Sequence, residues 1–445
     1  MESIRNSFKE ILRYPSALIG VVIIGLLVAT AIYAVIKIPY RQAIELWRGG
    51  ESVWYQNPKF APPAWYNLFS SKKFAESFSV STAKGTLSKT VTAGAQDTGS
   101  IDIHHSFDFQ YDEYPQEMLI YFNTVFAQKQ PFVSIVWLTP DGRKIRIDDF
   151  GVAQRQTLRF SQDQRLLQRL KGADPMQALF QDPKTGQILK GTYEVQITGT
   201  TFEKGSDINA EFVFQGSVYG LAGTDQERRD LTIPLLWGAP VALIFGLVAS
   251  LGTLVLTMII AAVGTWYGGW VDELIQRITE VNLVLPFLSI LVMIGTFYSR
   301  SLWVILTATV LLSIFTGSIK TYRAIFMQVK ESMYIEAARA YGASDLRIIF
   351  QYLIPRMIPL LIPAMVSSVP SFIFLEASLA VLGLGDPTLP TWGKMINDAD
   401  TNGALYKGYY YWIVEPAVLL MVTGFGFAML GFALDRVFNP RLRDV

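Results

Sequence analysis

No charged residue occurs between residues 231 and 270. A run of that length cannot coat a water-soluble domain, and it exceeds the roughly 20 apolar residues that a helix needs to cross a bilayer. Pro234 and Pro240 predict a bent start, with the helix proper over 237–264. Residues 17–36 form a second uncharged run of one crossing. Residues 281–299 and 301–319, parted only by Arg300, predict a tight helical hairpin, and 355–376 and 414–434 supply two more crossings. The expected fold is an all-α bundle of six transmembrane helices with both termini on one side, carrying a β-rich domain outside the membrane. Composition agrees, with 51% hydrophobic and 17% charged residues. The formal net charge of +1 gives no reason to expect nucleic acid as a partner. The absence of cysteine excludes disulfides, thiolate metal sites and a cysteine nucleophile.

Lysine and arginine concentrate on the cytoplasmic side of short loops. One side holds Arg5, Lys9, Arg13, Arg277, Lys320, Arg323, Lys330, Arg339, Arg347, Arg356, Arg436, Arg441 and Arg443, whereas the other holds only Arg300, Lys394 and Lys407. The asymmetry predicts cytoplasmic termini and a cytoplasmic loop over 320–355. The first run is too long for a signal-peptide core, and no small-residue cleavage site follows it before Lys37 and Arg41, so it reads as a retained helix. Residues 1–38 thus form the N-terminus and first helix, 39–230 an outer region, and 231–445 the membrane core.

The outer region is polar and alternates as strands do. Residues 132–138 and 144–147 flank Thr139-Pro140-Asp141-Gly142, a turn in which proline presets φ and glycine relaxes it. Residues 78–91, 101–110, 191–198 and 208–218 alternate similarly, and one amphipathic helix is expected near 162–179. These elements predict a β-sandwich or jelly-roll-like domain over about 64–222.

Chemical motifs are mostly missing. No phosphate-binding Gly-x4-Gly-Lys-Ser/Thr loop occurs, so the chain is expected to be no enzyme and to hydrolyse no ATP by itself. His104 and His105 are the only histidines. Neighbours on a strand point to opposite faces, so they read as strand residues rather than as a metal site. No cofactor is expected.

The segment 336–355 is charged and lies between apolar runs. Residues 331–341 are good helix formers, made slim by Ala337, Ala338 and Ala340. Gly342 is placed to cap that helix, Ser344 or Asp345 to start another, and Pro355 to break the pattern ahead of the fifth crossing. Small residues admit another surface closely, and Glu336 and Arg339 offer charge-assisted bonds. The alternative is an interfacial loop that merely joins two helices.

The order Glu336-Ala337-Ala338, then Gly342, then Pro355 resembles the coupling loop of permease subunits of bacterial ABC importers. Further motifs resemble the peptide/nickel group of that family, in its C-type subunit. These are Gly223-Thr224-Asp225 with Arg229-Asp230, Gly268-Gly269-Trp270-Val271-Asp272, Leu375-Glu376-Ala377-Ser378-Leu379 with Leu382-Gly383-Leu384-Gly385, Thr391-Trp392-Gly393, and the tail 435–442. The resemblance implies a type I importer permease that imports di- or oligopeptides, or else nickel complexes or oligosaccharides. It implies a second permease subunit, two ATPase subunits, an external substrate-binding protein and a bacterial or archaeal plasma membrane as partners and place. It assigns ATPase coupling to Glu336, Ala337, Ala338, Arg339, Gly342 and Ala343, and an outer gate or brace to Glu376, Gly383, Gly385, Trp392 and Gly393.

Three departures accompany it. Arg228 stands where the family has glycine, Tyr352 where it has histidine, and about 160 residues separate Ala61-Pro62-Pro63 from Gly223. The β domain therefore reads as an insertion, of the kind tolerated at an exposed loop with close ends. A secondary transporter is the rival class, but its inverted repeats and midplane ionisable group are not evident. Glu376, the one charge between Arg356 and Asp386, is either functional within the membrane or a brace for 382–392. Prolines 355, 359, 363 and 370 suit a path-lining fifth helix. Tyr409, Tyr410, Tyr411 and Trp412 suit an interfacial belt.

Overall fold

The computed structural model describes residues 15–94 and 98–438. Arg5, Lys9, Arg13, Arg441, Arg443 and the end of the 435–442 motif lie outside the described residues. The chain divides into two compact units, one comprising Met1–Arg48 with Ile233–Val445, the other Gly49–Thr232.

The first unit is helical. Its elements are α1 (Pro15–Lys37), α2 (Tyr40–Arg48), α3 (Thr232–Tyr267), α4 (Gly269–Val284), α5 (Phe287–Phe297), α6 (Leu302–Ile314), α7 (Gly317–Lys330), α8 (Met333–Ala340), α9 (Ile358–Leu379), α10 (Trp392–Thr401) and α11 (Tyr411–Phe438). Helices α1, α3, α9 and α11 are each long and apolar enough to cross a membrane. The pairs α4–α5 and α6–α7 bend by 79° and 49°, and raise the number of candidate spans among the described residues from 4 to 6 if each pair is one span. Helix α1 packs on α11, where a Cβ on Gly20 or Gly426 would lie 2.7 Å or 2.6 Å from the facing helix. Small residues allow this approach where hydrophobic burial cannot drive helix association.

The two bends were invisible as bends in the sequence. The expected helix over 301–319 is interrupted at Phe315 and Thr316, which are not helical. A break exposes carbonyls that lipid cannot satisfy. Here Asn282 Nδ2 donates to the oxygens of Leu312 (2.9 Å) and Phe315 (2.8 Å), and Thr257 Oγ1 donates to that of Ile314 (3.0 Å). The region before residue 281, expected as a loop, is largely α4, and Pro286 ends its run.

The second unit is a β-sandwich. Strands β1 (Phe78–Ser81), β9 (Asp207–Gln215), β4 (Glu117–Val125) and β7 (Arg155–Arg159) form one sheet in the order β1-β9-β4-β7. The other sheet is β2 (Ser88–Ala93), β3 (Gly99–Phe109), β8 (Gly191–Thr201), β5 (Phe132–Leu138) and β6 (Lys144–Gly151), in the order β2-β3-β8-β5-β6. All these pairings are antiparallel. With β2 set aside as an added edge, this is the double-sheet order of an eight-stranded jelly roll. Trp137, Phe109, Phe160, Phe180, Tyr193, Phe212 and Phe214 are fully buried between the sheets. Without a disulfide, that aromatic core holds the unit together.

The Thr139–Gly142 turn forms as its sequence predicts, with Gly142 at φ 83° and its N–H bonded to Thr139 O at 2.9 Å. Residues 78–91, read as one strand, are two strands in different sheets, turned at Gly85 with φ 68°. The expected helix near 162–179 is two short helices, Gln164–Arg169 and Pro175–Ala178, because Lys171 (φ 54°) and Gly172 (φ 80°) end the first. Strand β4 escaped detection because its first four residues are all buried, so no alternation shows. Strand β7 is short and polar.

The two ends of this unit lie together. Ala64 N bonds Gly220 O at 2.9 Å, Tyr219 N bonds Pro62 O at 2.9 Å, and Thr224 N bonds Ala61 O at 2.8 Å. Arg228 takes φ 65°, the left-handed conformation that glycine adopts freely. Its side chain offsets the strain. Nη1 donates to Asn57 O (2.5 Å) and Gln215 Oε1 (2.9 Å), while Asn57 Nδ2 donates back to Arg228 O (3.0 Å). Arg228→Ala should therefore cost about 3–6 kcal/mol, the worth of two charge-assisted bonds. Arg228→Gly should cost about 1 kcal/mol less, because glycine relieves the backbone. Denaturant unfolding of the full chain in detergent, followed by near-ultraviolet dichroism, checks the order; equal stability of all three proteins would refute it.

Candidate coupling site

Helix α8 is short because its sequence stops it. Gly342 lies at φ 78°, Ala343 N bonds Ala338 O at 3.0 Å, and Gly342 N bonds Arg339 O at 2.9 Å. That pair of bonds is the Schellman cap, and it requires the left-handed residue at Gly342. Ser344 precedes the next helical turn, Asp345–Ile348. A π-type turn, Ile349–Leu353, and a 3₁₀ turn, Ile354–Arg356, then lead into α9, so Pro355 sits in a distorted helical passage rather than at a clean stop.

Helix α8 has two faces. Ile335 and Ala338 are buried with Met258, Ala262 and Trp266 of α3, Phe326 of α7, and Ile348, Ile349 and Leu353. Glu336, Ala337, Ala340 and Tyr341 are exposed, as is Met333. The Glu336 side chain makes no hydrogen bond or ion pair among the described residues, and its backbone N–H bonds Ser332 O at 3.3 Å. A slim exposed face bearing one unpaired carboxylate, on a helix whose other face is locked into a core, can receive a second surface without rearranging.

Arg339 is engaged within the chain. Its guanidinium lies 4.4 Å from the centre of the Trp266 ring. Lys330 Nζ stands 5.7 Å from the same ring and donates to the oxygens of Thr265 and Trp266, both at 2.9 Å. These carbonyls close the C-terminal end of α3, where a cation is favoured. Beside them Arg323 grips Asp272 of α4 with contacts of 2.7, 2.9 and 2.5 Å. Three cations thus tie the α7–α8 segment to α3 and α4. In the sequence Lys330 counts only toward orientation and Trp266 does not stand out as a site residue; the available signal was a tryptophan at the end of an apolar run, facing a basic segment.

The second group of predicted residues gathers elsewhere in the helical unit. Glu376 is buried on α9, and its carboxylate accepts from the Thr391 hydroxyl. After α9 a π-type turn carries Gly383 at φ 81°. Trp392 is buried and its Nε1 donates to Leu235 O of α3 at 2.9 Å. A Cβ on Gly238 would lie 2.2 Å from that indole, and one on Gly393 2.7 Å from Ala377 O. Gly385 lies against Ala380 in the same way, at 2.8 Å. Asp386 accepts from Leu302 N at 3.2 Å. The arrangement holds the end of α9 to α10 and to the start of α3. It brings Glu376, Gly385, Trp392 and Gly393 together, apart from Glu336 and Gly342.

No group of three or more His, Asp or Glu side chains poised for a metal occurs among the described residues. His105 packs near Phe78 and Phe107, and burial holds its imidazole below its ordinary pKa.

Comparison with known proteins covers the helical unit. Residues 253–444 match the family model of the binding-protein-dependent transport system inner membrane component. The chain is 30% identical over 222 residues to a dipeptide transport system permease protein of Bacillus subtilis, covering 50% of this chain and 68% of that protein. It is 30% identical over 226 residues to an oligopeptide transport system permease protein of the same organism, covering 50% and 72%. A glutathione transport system permease protein of Pectobacterium atrosepticum is 26% identical over 223 residues, covering 50% and 73%. The family match begins after the jelly roll ends.

Proposed function

The chain belongs to the family of ABC importer peptide permeases, and from that premise we propose that it is the permease subunit that couples ATP hydrolysis to import of di- or oligopeptides. The observation that carries this reading is α8, with Glu336 unpaired on an exposed face and the opposite face built into the core beneath it.

In this reading six spans cross the membrane, with both termini and the 320–355 loop in the cytoplasm and the jelly roll outside. The charge asymmetry of the short loops supports that orientation. A second, homologous permease completes the path, and two ATPase subunits bind on the cytoplasmic side. One of them takes Glu336, Ala337 and the Gly342–Ala343 cap. Arg339 acts from the other side, by holding α8 to Trp266, so that a displacement of α8 moves α3 with it. Closure of the ATPases on ATP then becomes rigid-body rotation of packed helices and alternates access. The proline-rich α9 lines the path. Glu376, Trp392 and Gly393 brace its outer end. A substrate-binding protein delivers the peptide, and the jelly roll is an insertion in the first outer loop. The chain has no catalytic role; the energy is released in its partners.

Affinity purification of the full chain from its native membrane in mild detergent tests this. A second permease and ATPase subunits are expected to accompany it, with ATP hydrolysis stimulated by peptide. Recovery without any nucleotide-hydrolysing subunit would overturn the proposal.

A further inference from the structure

The outer face of the four-stranded sheet is covered at one end and open at the other. At the covered end Leu119, Val213 and Gln215 are buried, and Gln215 Nε2 donates to the oxygens of Tyr55 (3.0 Å) and Asn57 (3.1 Å). At the open end lies a cavity of about 470 Å³, within the range of small-molecule sites. Two register rows make its floor. One is Arg155–Asn123–Asn209, the other Thr157–Tyr121–Glu211.

The chemistry of that floor is specific. Asn123 offers a carbonyl and an amide N–H₂, the same pair that a peptide group presents, whereas Asn209 Oδ1 accepts from Thr82 Oγ1 and Lys89 Nζ, both at 3.1 Å, and its Nδ2 donates to Asp207 at 3.3 Å, which leaves it one N–H. Tyr55 and Tyr121 meet edge to face at 4.7 Å and form an apolar wall. Opposite charges stand at opposite corners. Glu211 is held in place by Tyr55 Oη (2.9 Å) and Gln56 Nε2 (2.5 Å), and a carboxylate has acceptor positions beyond those two. Arg155 is exposed and makes no hydrogen bond or ion pair through its side chain among the described residues.

We propose that this cavity binds a short peptide with free termini, its ammonium at Glu211, its carboxylate at Arg155 and its main chain along Asn123 and the remaining N–H of Asn209. Arg155 and Glu211 are two strands apart and two residues apart along the strand. At about 4.8 Å between strands and about 3.4 Å per residue, that diagonal is about 12 Å. Three or four extended residues, at about 3.3–3.6 Å each, span it. A guanidinium donates two parallel bonds to a carboxylate, so the C-terminal end is the more selective. An anion or a cation alone would leave one corner unanswered, and an uncharged sugar would answer neither. The site is read from the jelly roll alone and does not rest on the transport reading.

Calorimetric titration of the full chain in lipid nanodiscs tests it, with tri-alanine as the probe. Free-ended tri-alanine should bind, and N-acetylation or C-amidation should each weaken binding about tenfold or more. Hexa-alanine should bind more weakly than tri-alanine, since its ends overreach the two charges. Arg155→Gln, at an exposed position, should abolish the difference between the acid and the amide and leave the N-acetyl effect intact. Glu211→Gln should do the converse. No binding of tri-alanine, binding indifferent to both caps, binding unchanged in Arg155→Gln, or competition by maltotriose would each overturn the proposal. Peptide held in a transmembrane path would survive Arg155→Gln unchanged and so is told apart from this site.

Discussion

Replacing Glu336 with lysine is expected to abolish ATP-driven peptide uptake while leaving the chain inserted and folded. Glu336 is exposed and supports nothing within the chain, so its loss costs little stability. Its reversal acts on whatever lies opposite. A like-charge contact at an interface costs several kcal/mol, which corresponds to a loss of coupling on the order of 100-fold or more. Gly342→Asp should act by a second route. It places a side chain at φ 78°, at about 1–2 kcal/mol for a left-handed residue, and works against the cap that ends α8. Uptake into proteoliposomes and ATP hydrolysis, measured on the same preparation, separate coupling from assembly. Uptake at the parental rate in Glu336→Lys, with the ATPase subunits still attached, would sink the coupling role.

The contrast between Glu336 and Arg339 shows what a sequence can and cannot say about such a site. Both stand in one short charged helix, and the family resemblance implied the same role for both. The structure separates them, because Arg339 faces the end of α3 and finds Trp266, whereas Glu336 faces away. Helical spacing tells which residues share a face; it does not tell which distant element fills the space beside that face. The same limit hid the bend at Phe315. Every residue from 302 to 316 is uncharged, so hydropathy runs straight through the break, and only the paired acceptors of Asn282 mark it.

Where one residue controls a local conformation, the sequence was more legible. Gly342, Gly142 and the Pro-Asp-Gly turn were readable because each acts through its own backbone. Arg228 is the instructive case between the two. Its identity argued against a glycine-like turn, yet the turn forms, with φ 65° held by bonds to Asn57 and Gln215. Those partners come from 171 residues earlier and 13 residues earlier in the chain, and no local pattern announces them.

The close ends of the jelly roll make its removal the second decisive experiment. Deleting residues 65–221 joins Ala64 to Ala222, positions already adjacent through the Ala64–Gly220 bond. The bonds from Thr224 N to Ala61 O and from Ala61 N to Thr224 Oγ1 stay within the shortened loop. One partner is lost, since Gln215 goes with the domain and leaves Arg228 with Asn57 alone. The deletion should therefore be made together with Arg228→Gly, which gives the turn the residue its backbone prefers. The double change is expected to yield a chain that inserts and keeps its ATPase subunits, because the coupling helix and its core belong to the other unit. Docking of the substrate-binding protein, and uptake at low peptide concentration, should fall about 100-fold or more, the scale on which a second linked contact raises apparent affinity. Uptake kinetics and docking unchanged by the deletion would show that the jelly roll takes no part in delivery. Failure of the shortened chain to insert would instead show that the membrane core needs the domain in order to fold, and would refute its reading as an insertion.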